Sequence, residues 1–373
     1  MKKLEMFLDP SHELARNDLI GLLGLQDREA MEELFQRAYE VKLQQVGKKV
    51  YFRGIIEFSN ICGKDCFYCG IRKSNRNVVR YRMSEKEILE GARFACESNY
   101  GSIVLQSGER KDSRFTAFVE KTVKAIKEMS GGKLGITLSL GEQDEETYRR
   151  WFQAGAHRYL LRIETSHEAL YRRLHPKDHS FRKRLNCLNL LKMMGYQVGT
   201  GVMIGLPGQT VENLADDILF FEKMDVAMIG MGPYLIHKDT PLSSEVTDFE
   251  TIKDRQLDLA LKMIAVTRLY LKDVNIASTT ALQALTPTGR EMGLRAGANI
   301  IMPNITITKY RSSYQLYDNK PCLDENATFC RACLEQRIES IGETIGYNEW
   351  GDSPHFKKKE TGEAVDESGH IQH

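Results

Sequence analysis

Three cysteines stand close together in Phe58-Ser-Asn-Ile-Cys62-Gly-Lys-Asp-Cys66-Phe-Tyr68-Cys69-Gly70. The spacing Cys-x3-Cys-x2-Cys puts three thiolates on one short loop. Three thiolates hold three irons of a four-iron cluster and leave the fourth iron without a protein ligand. An open coordination position is what separates a catalytic metal site from a closed structural one. A structural zinc site is the competing reading, but it wants four ligands and no histidine lies nearby in sequence. A second group, Cys322-x7-Cys330-x2-Cys333, offers three more thiols. It predicts a second iron–sulfur cluster with an incomplete protein shell; a zinc site recruiting His355, or unmetallated thiols, are the alternatives. Cys96 and Cys187 sit in apolar helical patterns and read as buried packing. Groups of three fit disulfide pairing badly, and tight grouping in a large chain argues for metal chemistry.

Such a loop needs a rigid scaffold, and the composition supplies one. The chain has 373 residues, of which 42% are hydrophobic and 9% aromatic. That is enough for a sizeable core and excludes a mostly disordered chain. Lys and Arg number 52 against 51 Asp and Glu, a net charge of +1. This balance gives no support for nucleic-acid binding or an acidic membrane surface. No stretch reaches the ~20 apolar residues of a membrane span. Met1–Pro10 lacks the apolar run of a secretory signal, so the expected location is cytoplasmic.

Residues 11–48 show apolar spacing near 3.6 and read as helices. From residue 50, short apolar runs alternate with longer amphipathic ones. Eight runs read as strands: Val50–Phe58, Ser102–Gln106, Lys133–Ser139, His157–Arg162, Gln197–Met203, Val226–Met231, Val274–Ser278 and Asn299–Met302. Helices are expected at Ser84–Asn99, Phe115–Met129, Glu145–Gly155, Phe181–Gly195, Val211–Met224, Phe249–Leu271 and Thr288–Gly297. The alternation predicts an α/β fold, a complete (βα)8 TIM-type barrel with N-terminal helices and a C-terminal cysteine-bearing extension. A doubly wound open sheet is the runner-up. The expected boundaries are 1–49 for the N-terminal helices, 50–305 for the barrel, 306–352 for the extension and 353–373 for a flexible tail.

The first cysteine group directly follows the first strand, on the face where barrel enzymes place their active sites. Other strand ends bring polar residues there: Leu105–Glu109, Thr137–Glu142, Arg158–Thr165 and the glycine-rich Gly199–Thr210. Arg162 and Glu164, two apart on an otherwise apolar strand, are odd for a core. Of His157, His167, His175, His179 and His237, only His237 is expected on that face.

Cys62, Cys66 and Cys69 with Tyr68 resemble the signature of radical S-adenosylmethionine (SAM) enzymes, over roughly residues 50–305. The resemblance implies a [4Fe–4S] cluster whose open iron takes the amino and carboxylate groups of SAM. It also implies reductive cleavage of SAM to a 5′-deoxyadenosyl radical. Ile55–Cys69, Arg80–Met83, Ile103–Glu109, Thr137–Glu142, Arg158–Thr165, Arg184–Cys187, Gly205–Thr210, Gly232–Leu242, Thr279–Ala281, Gly297–Asn304 and Tyr314–Tyr317 resemble one branch most closely. That branch is the HydE family, the radical SAM maturases of [FeFe]-hydrogenase; biotin synthase and methylornithine synthase fit these segments less well.

The closer resemblance implies that Tyr68, Gln106, Ser107, Glu109, Glu164, Arg184 and Tyr314 line the SAM site. It implies that Thr137, Arg162, Thr279, Thr280 and Ala281 meet the substrate. The substrate implied is an iron–cysteine complex bearing CO and cyanide, or a thiol-containing small molecule. Other hydrogenase maturases and an electron donor are the implied partners. The alternative is a radical SAM synthase or mutase acting on an organic, amino-acid-like substrate; a non-catalytic iron–sulfur carrier would leave the barrel without use. Ile163 stands where the family examples carry a His, and Arg110-Lys-Asp-Ser replaces an acidic, proline-containing stretch.

Overall fold

Why the strand–helix pattern forms is visible at the helix starts. Ser84 accepts a hydrogen bond from the Glu87 N–H, and the Glu87 carboxylate accepts one from the Ser84 N–H at 2.8 Å. This reciprocal cap satisfies two N–H groups that the helix leaves bare. Asp112, Asp144, Ser180, Thr210 and Asn326 cap later helices through their side chains. Such caps contribute ~1 kcal/mol each and fix where each connection ends.

The computed structural model describes residues 7, 9, 11–246 and 249–361. Helices α1 (Arg16–Leu23) and α2 (Arg28–Gln45) precede strand β1 (Lys49–Ser59). Then come α3 (Glu85–Glu97), β2 (Ser102–Ser107), α4 (Ser113–Met129), β3 (Gly135–Ser139), α5 (Glu145–Gln153) and β4 (Arg158–Leu160). Helices α6 (Glu168–Leu174) and α7 (Phe181–Met193) lead to β5 (Gln197–Thr200) and β6 (Met203–Ile204). Next are α8 (Val211–Met224), β7 (Met228–Ile229), β8 (Gly232–Pro233), α9 (Phe249–Leu271) and β9 (Asn275–Ile276). The chain continues through α10 (Thr280–Leu285), α11 (Gly289–Arg295), β10 (Ile300–Ile301), α12 (Thr308–Arg311), α13 (Ala327–Ser340), β11 (Thr344–Ile345) and α14 (Pro354–Thr361).

The main sheet is parallel and runs β10-β1-β2-β3-β4-β5-β7-β9. Its order follows the chain without the reversal that a doubly wound sheet needs. Beyond β9, Ser278 N–H donates to the Ile300 carbonyl and Asn299 N–H to the Ile276 carbonyl, both at 2.9 Å, so the two ends of that order also meet. The class is therefore α/β with a parallel sheet. Strands β6 and β8 pair only with each other, as a short parallel sheet beyond β5 and β7.

The core lies between strands and helices. Trp151 is fully buried and donates its indole N–H to the Thr116 carbonyl at 3.0 Å. Burying each large apolar side chain here contributes ~1.5–3 kcal/mol. The terminal segments join each other: Lys42 of α2 and Glu343 form a fully buried ion pair at 2.7 Å, and β11 adds to β1 at Lys49 and Val50.

Residues 348–353 form a floor under the amino ends of the strands. Gly351 accepts from Arg53 at 2.9 Å and from Asn275 at 2.8 Å. The Trp350 carbonyl accepts from Arg158 at 2.7 Å, and Asp352 takes Arg158 at 2.9 Å and Gln197 at 3.0 Å. The expectation of a flexible tail from 353 is corrected for its first part. Ser353 is fully buried, and α14 is held by Lys358 to Asp273 at 2.9 Å and by His355 to Asp225 at 2.7 Å. Its charges looked solvated because their partners lie far away in sequence. Residues 362–373 lie outside the described residues. Among the described residues, no helix is long and apolar enough to cross a membrane.

Candidate active site

Strand β1 delivers the first cysteine loop, and four distant segments fasten it. Gly63 N–H donates to the Glu109 carbonyl at 2.8 Å, Phe67 N–H to Leu174 at 2.9 Å and Gly70 N–H to Leu316 at 2.9 Å. The Phe67 carbonyl accepts from Leu242 N–H at 3.0 Å. Glycines allow the close approaches. A Cβ on Gly108 would lie 2.5 Å from the Ile61 carbonyl, and one on Gly70 would collide with His237 and the Gln315 carbonyl.

Cys62, Cys66 and Cys69 are free thiols. Burial pushes the Cys66 thiol up to about 12 and raises Cys69 as well, so a cationic group among them is what would hold them as thiolates.

A chain of charges, all buried except the half-buried Arg162, runs beside this loop. Glu142 is fully buried and accepts from Arg184 Nε at 2.9 Å and Lys64 Nζ at 3.0 Å. Burial works against the carboxylate, but Arg184 and Lys64 hold it down to about 2. Arg184 also donates to the Arg162 carbonyl at 2.6 Å. Arg162 in turn pairs with Glu164 at 3.0 Å and donates to the Val202 carbonyl at 2.9 Å. Glu164 has φ +68°, a left-handed conformation rare outside glycine. It is held there by Glu164 N–H to Gly201 and by Met203 N–H to Glu164, both at 3.0 Å.

The structure places the remaining sequence-derived residues as follows. Glu109 is engaged by Glu142 N–H at 2.9 Å and by Lys111 at 3.2 Å. Gln106 donates to the Tyr314 hydroxyl at 3.2 Å, and the Ser107 hydroxyl donates to the Gly108 carbonyl at 2.8 Å. The hydroxyls of Thr137 and Thr279 are buried with no partner. Thr280 accepts from Arg290 at 3.0 Å, and Ala281 is buried in the first turn of α10.

Only His237 was expected at this face, and that expectation is corrected. His175 gives its Nδ1–H to the Tyr171 carbonyl at 2.8 Å, which leaves Nε2 to accept from the Tyr68 hydroxyl at 3.3 Å. His179 Nε2 accepts from the Asp65 N–H, inside the cysteine loop, at 3.1 Å. Both reach the loop from the α6–α7 connection. The His-x3-His spacing was their one signal. Lys64 was passed over, and Glu142, though placed at a strand end on this face, was given no role of its own.

The second cysteine group is only partly assembled. Cys322, Glu325 and Cys330 bring their ligand atoms within 4.8 Å of one another, and Cys333 is not among them. Cys333 is exposed. The alternative of zinc with His355 is overturned, because His355 is occupied by Asp225 and Asp273.

A model of the Radical SAM superfamily matches residues 56–221. The [FeFe] hydrogenase maturase subunit HydE of Thermotoga maritima is 47% identical over 340 residues, covering 91% of this chain and 94% of that one. The chain belongs to the HydE family of radical SAM enzymes. Family membership makes it an enzyme and gives it a [4Fe–4S] cluster and SAM as cofactors. The 3-methylornithine synthase of Methanosarcina acetivorans, outside the HydE family, is 28% identical over 88% of this chain and 90% of its own. A solved methylornithine synthase (PylB) superposes with TM-score 0.77 at 25% identity, over 93% of this chain and 98% of that one. The maturase HydG of Carboxydothermus hydrogenoformans shares the fold, with TM-score 0.77 at 21% identity over 93% and 79%. The residues at the mouth fit the HydE cofactors: three thiols on one loop, a charge chain beside them, and hydroxyls left without partners.

Proposed function

We propose that this HydE-family chain acts in [FeFe]-hydrogenase maturation. Its SAM-derived radical would be aimed at the sulfur of an iron–cysteine complex carrying CO and cyanide, or of another thiol-containing small molecule. The observation that carries the reading is the single mouth shared by the cysteine loop and the Glu142–Arg184–Arg162–Glu164 chain, in a sequence 47% identical to a hydrogenase maturase.

Cys62, Cys66 and Cys69 would ligate the cluster. When bound, it supplies the electron that cleaves the SAM sulfonium to a 5′-deoxyadenosyl radical. Tyr68, Gln106, Ser107, Glu109, Glu164, Arg184 and Tyr314 would surround SAM. Glu164 is aligned by Arg162, and Arg184 by Glu142, so both ends of the SAM site rest on one ion network. Arg162 offers a guanidinium, and Thr137 and Thr279 free hydroxyls, to an anionic substrate, with Thr280 and Ala281 beside them; such groups suit a carboxylate or cyanide-bearing complex.

The bond between the β9 and β10 segments supports closure into a complete (βα)8 barrel over 50–305, with 1–49 and 306–352 packed outside it. Other maturases would supply and receive the substrate in the cytoplasm, and an electron donor would reduce the cluster. The spacing of Cys322, Cys330 and Cys333 supports a second iron–sulfur cluster; the geometry supports it only at Cys322 and Cys330. A second substrate reading, an organic amino-acid-like molecule, is favoured by the similarity to 3-methylornithine synthase.

The test is anaerobic reconstitution with iron and sulfide, followed by SAM and dithionite, with the adenosyl group traced by LC–MS. Cys66→Ala is expected to lose SAM cleavage entirely. An adenosyl–sulfur product that requires the iron–cysteine complex supports maturation. Free 5′-deoxyadenosine with an altered amino acid selects the synthase reading, and an intact cluster that consumes no SAM overturns both.

A further inference from the structure

Helix α8 carries a carboxyl group that the charge chain at the mouth does not use. The buried positions of α8 are Leu214, Ala215, Asp217, Ile218, Phe221 and Met224, so Asp217 is the one ionisable residue on an apolar face. Asp217 is fully buried, and among the described residues no lysine, arginine or histidine is paired with it. Its neighbour Asp216 instead reaches outward to Arg16 at 2.6 Å. Both contacts of Asp217 come from a single residue: the Ser166 N–H and the Ser166 hydroxyl each donate to Oδ1 at 2.6 Å. Oδ2 is buried without a partner. Burial pushes this carboxyl up to about 7, against the pull of the two hydrogen bonds. A buried carboxyl with no cation costs stability, and an aliphatic residue would suit the face better. The cost points to a task.

Ser166 lies two residues past Glu164, where the backbone is strained. Glu164 has φ +68°, a conformation that persists only when the surroundings over-determine it. The support comes from two elements. The bend between β5 and β6 holds the Glu164 N–H through the Gly201 carbonyl and the Glu164 carbonyl through the Met203 N–H. Helix α8 holds the other side, where one Asp217 oxygen fixes both the backbone and the hydroxyl of Ser166. Between the two, Thr165 is fully buried, and its hydroxyl accepts from the His167 N–H at 3.2 Å. A shift at Ser166 therefore reaches Glu164 through one residue that has no room to absorb it.

We propose that Asp217 is a positioning residue for the SAM site: through Ser166 it holds Glu164 in its left-handed conformation and so sets the direction of the Glu164 carboxylate. The inference rests on the reading that Glu164 contacts SAM; the fastening of the turn needs no cofactor and is tested without one.

The first measurement is amide hydrogen exchange by mass spectrometry on the full chain without its cluster. Asp217→Ala is expected to speed exchange about tenfold in peptides covering residues 163–170 and 202–204, because the Ser166 and Met203 N–H groups lose their acceptors. Asp217→Asn keeps an uncharged acceptor for Ser166 and should stay within about threefold of wild type. Leu214→Ala, on the same buried face, controls for a general loss of stability and should change neither segment selectively. The second measurement is SAM affinity by equilibrium dialysis after reconstitution with iron and sulfide. Asp217→Ala should weaken SAM about fivefold, Asp217→Asn should restore most of that loss, and Leu214→Ala should change it less than about twofold. Wild-type exchange in Asp217→Ala would overturn the proposal. So would equal losses of SAM affinity in Asp217→Ala and Leu214→Ala, which would make the role one of general stability. Faster exchange with unchanged SAM affinity would reject the positioning role and leave the Glu164 reading standing, whereas a reconstituted wild type that binds no SAM would overturn both.

Discussion

The two ends of the parallel sheet both bury charge, and they use it differently. At the carboxyl end, Glu142, Arg184, Arg162 and Glu164 pair in sequence, and threonine hydroxyls nearby are left without partners. At the amino end, Arg53 and Arg158 are sealed beneath residues 350–352, whose carbonyls and one carboxylate face them directly. Both ends also leave polar atoms without partners, the Thr279 hydroxyl at one and Arg53 Nε, Arg158 Nε and the Gln197 amide oxygen at the other; what differs is that the mouth charges answer one another while the floor guanidiniums are answered chiefly by backbone carbonyls. Strand ends in such sheets divide the same way in general, with chemistry at one face and stability at the other.

The sharpest way to break this comparison is to remove Asp352, which carries much of the compensation for Arg53 and Arg158. Asp352→Ala should cost about 3–5 kcal/mol in urea denaturation, the usual result of leaving a buried charge unpaired. SAM cleavage per folded molecule should stay unchanged; a selective loss of cleavage would mean the floor takes part in function.

Glu142 gives the matching test at the mouth. Its pKa is depressed from 4.5 to about 2, so the stability it contributes is present above pH 4.5 and is lost as pH falls toward 2. The shift corresponds to about 3 kcal/mol. Glu142→Gln should be destabilised by up to that amount at pH 7, and the difference from wild type should shrink to nothing near pH 2 in acid titrations followed by fluorescence. A difference that does not change with pH would remove Glu142 from the charge chain.

A smaller effect separates the two halves of the mouth. Arg162→Ala should raise the substrate KM about tenfold while SAM affinity, read by equilibrium dialysis, moves less than threefold. Equal losses for both ligands would merge the two subsites. The smallest effect is expected for His175→Phe, which removes the acceptor of the Tyr68 hydroxyl. About 1 kcal/mol of stability should be lost, seen as a lower urea midpoint.

Much of the scaffold was legible in the sequence because strand and helix periods are local. Val211–Met224 and Phe249–Leu271 appear as helices with the expected limits, and each expected strand overlaps an observed one. Helix α6 and the β6–β8 pair escaped notice. The one is seven residues long, and the others are two-residue strands that include glycine and proline. The cysteine loop was legible because its ligands are contiguous. The contacts of His175 and His179 with the loop, and the ion pairs of Glu142, were not, because each depends on a partner 42 to 114 residues away. The floor was invisible for the same reason: Asn348-Glu-Trp-Gly-Asp-Ser353 has no apolar run, and its contacts exist only after the sheet has formed.

That floor also sets the order of events during synthesis. Arg53 and Gly351 are separated by 298 residues, and Arg158 and Asp352 by 194. Chains acquire structure from the N-terminus as they leave the ribosome, and distant closures come late. Every strand of the sheet emerges before the residues that neutralise its two guanidiniums. The nascent protein therefore passes through a stage with all its cysteines made and its lower end open.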